Sequence, residues 1–166
     1  MARSQWHKFY AAPVAAPADV LFDLLADMPN YGRWLPGSDQ FGHTTDVEPY
    51  PVRLGSRYRD GKPDGSGRDW RGTVTGFQPP GSLDFQHTIH VTEFRATVDV
   101  HIHYSLEPAA STMSIDTAGT VVTRWLVLDF AMPAAFRPLR RLAVAAFDKE
   151  NARTMDALRR YAESQA

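Results

Sequence analysis

Between Ala96 and Glu107 the chain alternates without a break. Val98, Val100, Ile102, Tyr104 and Leu106 fall on one side of an extended backbone, and Asp99, His101, His103 and Ser105 fall on the other. A period of two is the repeat of a β-strand. One apolar face set against one polar face belongs to an antiparallel sheet that is wet on one side. The fold is therefore built on such a sheet, and the apolar face needs something to cover it.

Pro and Gly punctuate the rest of the chain into further short elements. Trp6 to Ala12, Gly55 to Asp60, Arg68 to Phe77, Ser82 to Val91 and Thr112 to Phe130 read as strands, the last kinked near Gly119. Gly61 to Gly67 is a loop, placed to form a rim that gates the interior. Ala16-Pro17 opens a first helix, with Asp19 in its first turn and Val20, Leu21, Leu24 and Leu25 as its buried stripe. Pro29 breaks that helix, and a second short one carries Tyr31 and Trp34 as far as Pro36. A long helix from Pro138 to Ser164 ends the sequence. At 100° per residue, Phe136, Ala143, Phe147, Leu158 and Tyr161 gather on one side, with Asp148, Lys149, Arg153, Asp156, Arg159 and Arg160 mostly opposite. Strands with two short helices after the first and one long helix at the end predict an α+β fold. In it a bent antiparallel sheet grips the terminal helix, as a single domain over residues 1–166.

Composition narrows the function. Eighteen Lys and Arg against nineteen Asp and Glu give a net charge of −1, which argues against nucleic acid as a partner. The chain has no cysteine, so disulfides and thiolate metal sites are excluded. No apolar run is long enough to span a bilayer, and the first residues have no apolar core of a secretory signal. The expected location is the cytoplasm, with no integral membrane association. No nucleophile elbow, phosphate-binding loop or dinucleotide glycine motif occurs, so no cofactor is expected.

Two segments carry a resemblance. Val14-Ala-Ala-Pro-Ala-Asp-Val-Leu-Phe-Asp-Leu-Leu-Ala-Asp-Met-Pro-Asn-Tyr-Gly-Arg-Trp-Leu-Pro36 resembles the opening of SRPBCC proteins, the START and birch-pollen-allergen-like superfamily with its polyketide cyclase/dehydrase and lipid-transport group. Phe147-Asp-Lys-Glu-Asn-Ala-Arg-Thr-Met-Asp-Ala-Leu-Arg-Arg-Tyr-Ala-Glu163 resembles the helix that lids the cavity there. The resemblance implies a helix-grip fold and an internal cavity for a hydrophobic small molecule that is aromatic, polyketide-like or lipid-like. It transfers no catalytic residue, because these motifs mark fold rather than chemistry.

Strand parity supplies the candidate lining. Val100, Ile102 and Tyr104 face inward; so do Phe85 and His87, in a row with Leu83, Ile89 and Val91; Trp70 and Val74 form a third row. From the terminal helix, Phe147 adds an apolar wall, while Glu150, Asn151, Thr154 and Arg140 point toward the same side. His87, Tyr104, Asn151 and Thr154 are polar groups on an inward face and so need partners, either a ligand or one another. His87 with Glu150 is a candidate acid–base pair for a cyclisation or dehydration. Asp99, His101 and His103, with His90 on the neighbouring strand, have metal-ligand spacing but lie on the wet face. They are read as surface, and no metal is expected. Three functions stay open: a binding or transport protein, a polyketide cyclase, aromatase or dehydratase, and a protein-interaction module resembling the AHSA-type chaperone activators. The last would have a filled interior and an exposed apolar patch.

Overall fold

The computed structural model describes residues 2–39, 41–61, 70–91, 94–109 and 119–165. Strands β1 (Ala2–Val14), β2 (His43–Glu48), β3 (Arg57–Gly61), β4 (Trp70–Gln78), β5 (Ser82–Val91), β6 (Ala96–Pro108) and β7 (Thr120–Met132) form one antiparallel sheet in the order β1-β7-β6-β5-β4-β3-β2. Among the described residues, helices α1 (Ala18–Ala26) and α2 (Arg140–Gln165) and 3-10 turns at Met28–Arg33 and Ala134–Leu139 accompany it. This is the helix-grip fold, with α2 lying in the grip of the sheet.

The inward rows run where parity places them. Val98, Val100, Tyr104 and Leu106 of β6 are buried, as are Leu83, Phe85, His87 and Ile89 of β5. Their registers interlock, His87 opposite Val100 and Phe85 opposite Ile102. In β4 the register shifts between Val74 and Gly76, so an extra residue reverses the parity. Val74 points inward before the bulge, and after it Phe77 packs against the core. Such a bulge bends a strand and sharpens its twist.

Several elements differ from the sequence expectation. β2 was not foreseen: its alternation is short, and the bulge between Thr45 and Glu48 breaks it. In α1 the buried stripe is Leu21, Phe22, Leu24 and Leu25, while Val20 is exposed. The helix turns Phe22, which can meet Phe77 edge-on at 5.2 Å, toward the sheet instead. Tyr31 lies in a 3-10 turn rather than a helix, and Trp34 caps its end. Pro138 belongs to the second 3-10 turn, and α2 starts at Arg140. Phe136 packs on Phe94, 5.3 Å between rings, away from the helix axis. The 61–67 rim and the start of the 112–130 strand lie mostly outside the described residues.

Helix α2 has two unlike halves. Asn151, Thr154, Met155, Leu158 and Ala162 are buried on one face of its second half. In its first half no residue from Arg140 to Glu150 is fully buried. Polar contacts to β1 hold that half instead: Lys8 Nζ and Tyr10 Oη each donate to Asp148 Oδ1 at 2.6 Å, and Arg140 Nη2 donates to the Gln5 carbonyl at 2.9 Å. Arg140 also lies over the Phe130 ring, so it serves the β1–β7 side rather than the interior. Two apolar clusters result, one around α1 and the second half of α2, the other under the first half of α2. No helix among the described residues is long and apolar enough to cross a membrane.

Candidate functional site

Where those two clusters meet, the interior stays open. The cavity has a volume of about 100 Å³. One water needs roughly 10–15 Å³ on that measure, so the void has room for a compact organic molecule. All nine residues expected at a binding site line it: Trp70, Phe85, His87, Val100, Ile102, Tyr104, Phe147, Asn151 and Thr154. Glu150 lines it too. Residues that parity did not single out complete the wall, chiefly Tyr31, Tyr58, Asp60 and Arg124.

The aromatic wall is a chain of edge contacts. Tyr58 meets Phe85 at 5.9 Å between rings and Phe85 meets Tyr104 at 6.3 Å, both nearly perpendicular. Trp70 lies parallel to His87 at 6.0 Å. Tyr58 reaches this position because its neighbour across the β3–β4 pair is Gly72. A Cβ built on Gly72 would sit 2.1 Å from the Tyr58 ring. Gly72 is thus the seat of that ring.

The polar groups divide sharply by partner. On α2, Asn151 Nδ2 donates to the Phe147 carbonyl at 2.7 Å and Thr154 Oγ1 to the Glu150 carbonyl at 2.8 Å. Both are bonds to the preceding helical turn, which side chains of this type make readily. Glu150 pairs with Arg153 and accepts from Ser38 Oγ at 3.0 Å. No hydrogen bond joins it to His87. Burial, with the Arg124 charge adding, lowers the His87 pKa to about 4, so the imidazole is neutral. Its Nδ1 lies 3.4 Å from Tyr58 Oη, a long contact.

The carboxylate that stands apart is Asp60. It accepts from Thr44 Oγ1 at 2.6 Å across the β2–β3 pair. Burial raises its pKa to about 7, against the opposing pull of that hydrogen bond. Tyr104, which the sequence left in need of a partner, has one inside the chain: Arg124 Nη1 donates to its hydroxyl. The guanidinium also lies 4.9 Å from the centre of the Tyr104 ring. Among the described residues, three buried side-chain atoms have no hydrogen-bond partner: Trp70 Nε1, Arg124 Nε and Asn151 Oδ1. All three belong to residues that line this cavity.

On the outer face, His101 and His103 are partly exposed and pair with Asp129 and Asp84 respectively. Asp99 accepts from Thr88 Oγ1 at 2.6 Å. Among the described residues no three His, Asp or Glu side chains converge as metal ligands would.

A bent sheet closed over an interior cavity by a long terminal helix defines the class of helix-grip proteins. The family model described as polyketide cyclase / dehydrase and lipid transport matches residues 7–163, and the chain belongs to that SRPBCC-type family. Among curated proteins nothing matches the sequence. Solved structures extend the likeness of fold. Truncated norcoclaurine synthase from Thalictrum flavum superposes with a TM-score of 0.69 at 12% identity, covering 97% of this chain and 95% of that one. The Zhui aromatase/cyclase from Streptomyces sp. R1128 gives 0.67 at 18% identity, covering 96% and 94%. A START superfamily protein from Mycobacterium smegmatis gives 0.63 at 14% identity, covering 96% and 99%.

Proposed function

We propose that this chain binds a compact, largely apolar small molecule in the cavity between the sheet and α2. One observation carries the reading: the three unpartnered buried polar atoms all belong to residues around one interior void. Buried polar groups without partners are costly and rare in folded proteins, and a guest bearing donors and acceptors relieves that cost. The apolar walls from Phe85, Val100, Ile102 and Phe147 supply the driving force, at about 25 cal/mol per Å² buried. His87, Asn151 and Thr154 orient the guest, and Trp70 stacks on it. Against the interaction-module alternative, the interior holds open space instead of being filled. The test is native mass spectrometry of freshly purified protein. A retained small molecule, or a thermal shift with aromatic compounds that Val100→Asp removes, is the expected result. Protein that neither retains nor takes up any apolar compound speaks against it.

A second reading has its own support. Asp60, with its carboxyl raised to about 7, shares the cavity with neutral His87. A carboxyl that changes charge near neutrality suits proton transfer. A cyclisation with loss of water needs such proton transfer, and the similarly folded Zhui protein is an aromatase/cyclase. Asp60 rather than Glu150 would be the proton carrier, since Glu150 is occupied by Arg153. Cyclisation of a poly-β-carbonyl thioester, abolished by Asp60→Asn with ligand uptake retained, is the outcome that favours the enzyme.

A further inference from the structure

Arg124 projects inward from the middle of β7 and is 8% exposed. A guanidinium carries a fixed positive charge and offers donors only. Among the described residues, no carboxylate lies within ion-pair distance of it. One of its nitrogens donates to the neutral Tyr104 hydroxyl, and Nε has no partner. The other charged groups at the cavity do not compensate. Glu150 is neutralised by Arg153, and Asp60 takes its hydrogen bond from Thr44. Burial lowers the His87 titration and raises those of Tyr10, Tyr31, Tyr58 and Tyr104; the Arg124 charge adds to the first effect and opposes the second. The guanidinium lies 4.9 Å from the centre of the Tyr104 ring and has no anionic partner among the described residues. A buried charge in that state is strongly unfavourable unless something pairs with it.

The geometry points to a guest that carries an acidic oxygen, as a carboxylate, phenolate or enolate, which pairs with Arg124 while its apolar body fills the cavity. This inference rests on the binding reading above and names the class of ligand. The anion would form charge-assisted hydrogen bonds of the kind a guanidinium makes best, and Tyr104 would hold the guanidinium for it.

Matched probes test it: naphthoate, naphthamide and methylnaphthalene, titrated by calorimetry above the acid's pKa. Wild-type protein is expected to bind naphthoate at least tenfold more tightly than naphthamide. High salt should leave that preference intact, because a buried pair is little screened. Arg124→Met should erase the preference while naphthamide still binds, and Arg124→Lys should keep part of it. Should Arg124→Met not fold, the wild-type ratio and its salt dependence decide alone. Equal or tighter binding of naphthamide, or a preference lost with salt, overturns the acidic-oxygen inference and leaves the binding reading standing. If none of the three probes binds, both fall together.

Discussion

Asp60 and His87 share a cavity, and burial moves their titrations in opposite directions. The folded state holds the Asp60 proton up to about pH 7, whereas the unfolded chain releases it near 3.8. Stability from this group is full below the unfolded value and is lost as pH rises toward 7. For His87 the folded value is about 4 against 6.5 unfolded, so its contribution is present above 6.5 and lost as pH falls toward 4. The two slopes oppose each other over nearly the same window. Each reaches at most about 1.4 kcal/mol per pH unit, the value for one proton. Wild-type stability should therefore vary little from these two groups between pH 4 and 6.5. Asp60→Asn should rise in stability with pH there, and His87→Gln should fall, as denaturant melts at several pH values will show. Tyr104→Phe makes a separate point. The sequence leaves that hydroxyl to pair with a ligand or with another inward polar group, and only in the first case would its loss hardly touch folding. With Arg124 bonded to it, removal strands a buried charged donor and should cost about 1–3 kcal/mol in a chemical melt. Arg124 was hidden because β7 is apolar on both faces: Trp125 and Val127 alternate with Leu126 and Leu128, so parity is unreadable. Tyr58 and Asp60 sit two residues apart on a short strand, too brief for a pattern.

At the level of elements, the β3–β4 pair depends on an absent side chain. Gly72→Ala would drive a methyl group into the Tyr58 ring. The ring must swing out of the cavity wall or the strands must part, at about 1–3 kcal/mol for such overpacking. The expected result is a lower melting temperature and disturbed Tyr58 ring signals in NMR. An unchanged Tyr58 would contradict the seating. Strands β5 and β6 were legible from sequence because one face is wet and the other dry along their whole length. The β4 bulge, the irregular β2 and the 3-10 turns were not, since each interrupts a period within a few residues. Helix α2 shows the same limit. Its period located the buried face of its second half, but its first half is held by Lys8 and Tyr10 through Asp148, contacts no period encodes.

For the whole molecule, ligand binding and folding are one equilibrium. A guest at a concentration of 100 times its Kd should add about 2.7 kcal/mol to stability. For a domain of this size each kcal/mol raises the melting temperature by about 2–4 °C, so scanning calorimetry should register roughly 5–11 °C. The order of elements was readable because Pro and Gly separate them and their periods differ. The pairing of the first strand with the last was not, because nothing local records it. Every β1–β7 pair joins residues at least 106 positions apart, from Val14–Thr120 to Ala2–Met132. The β5–β6 pair closes between Val91 and Ala96, five positions apart. Closing a loop costs more as it lengthens, and the fold's local hairpins can form within microseconds. Assembly should therefore begin in the β3–β6 meander and end when β1 zips onto β7. Pulse-labelled hydrogen exchange should find β1 amides protected last. During synthesis, until Met132 has left the ribosome, β6 is a bare sheet edge with an uncovered apolar face, the kind of surface that draws neighbouring chains into aggregates.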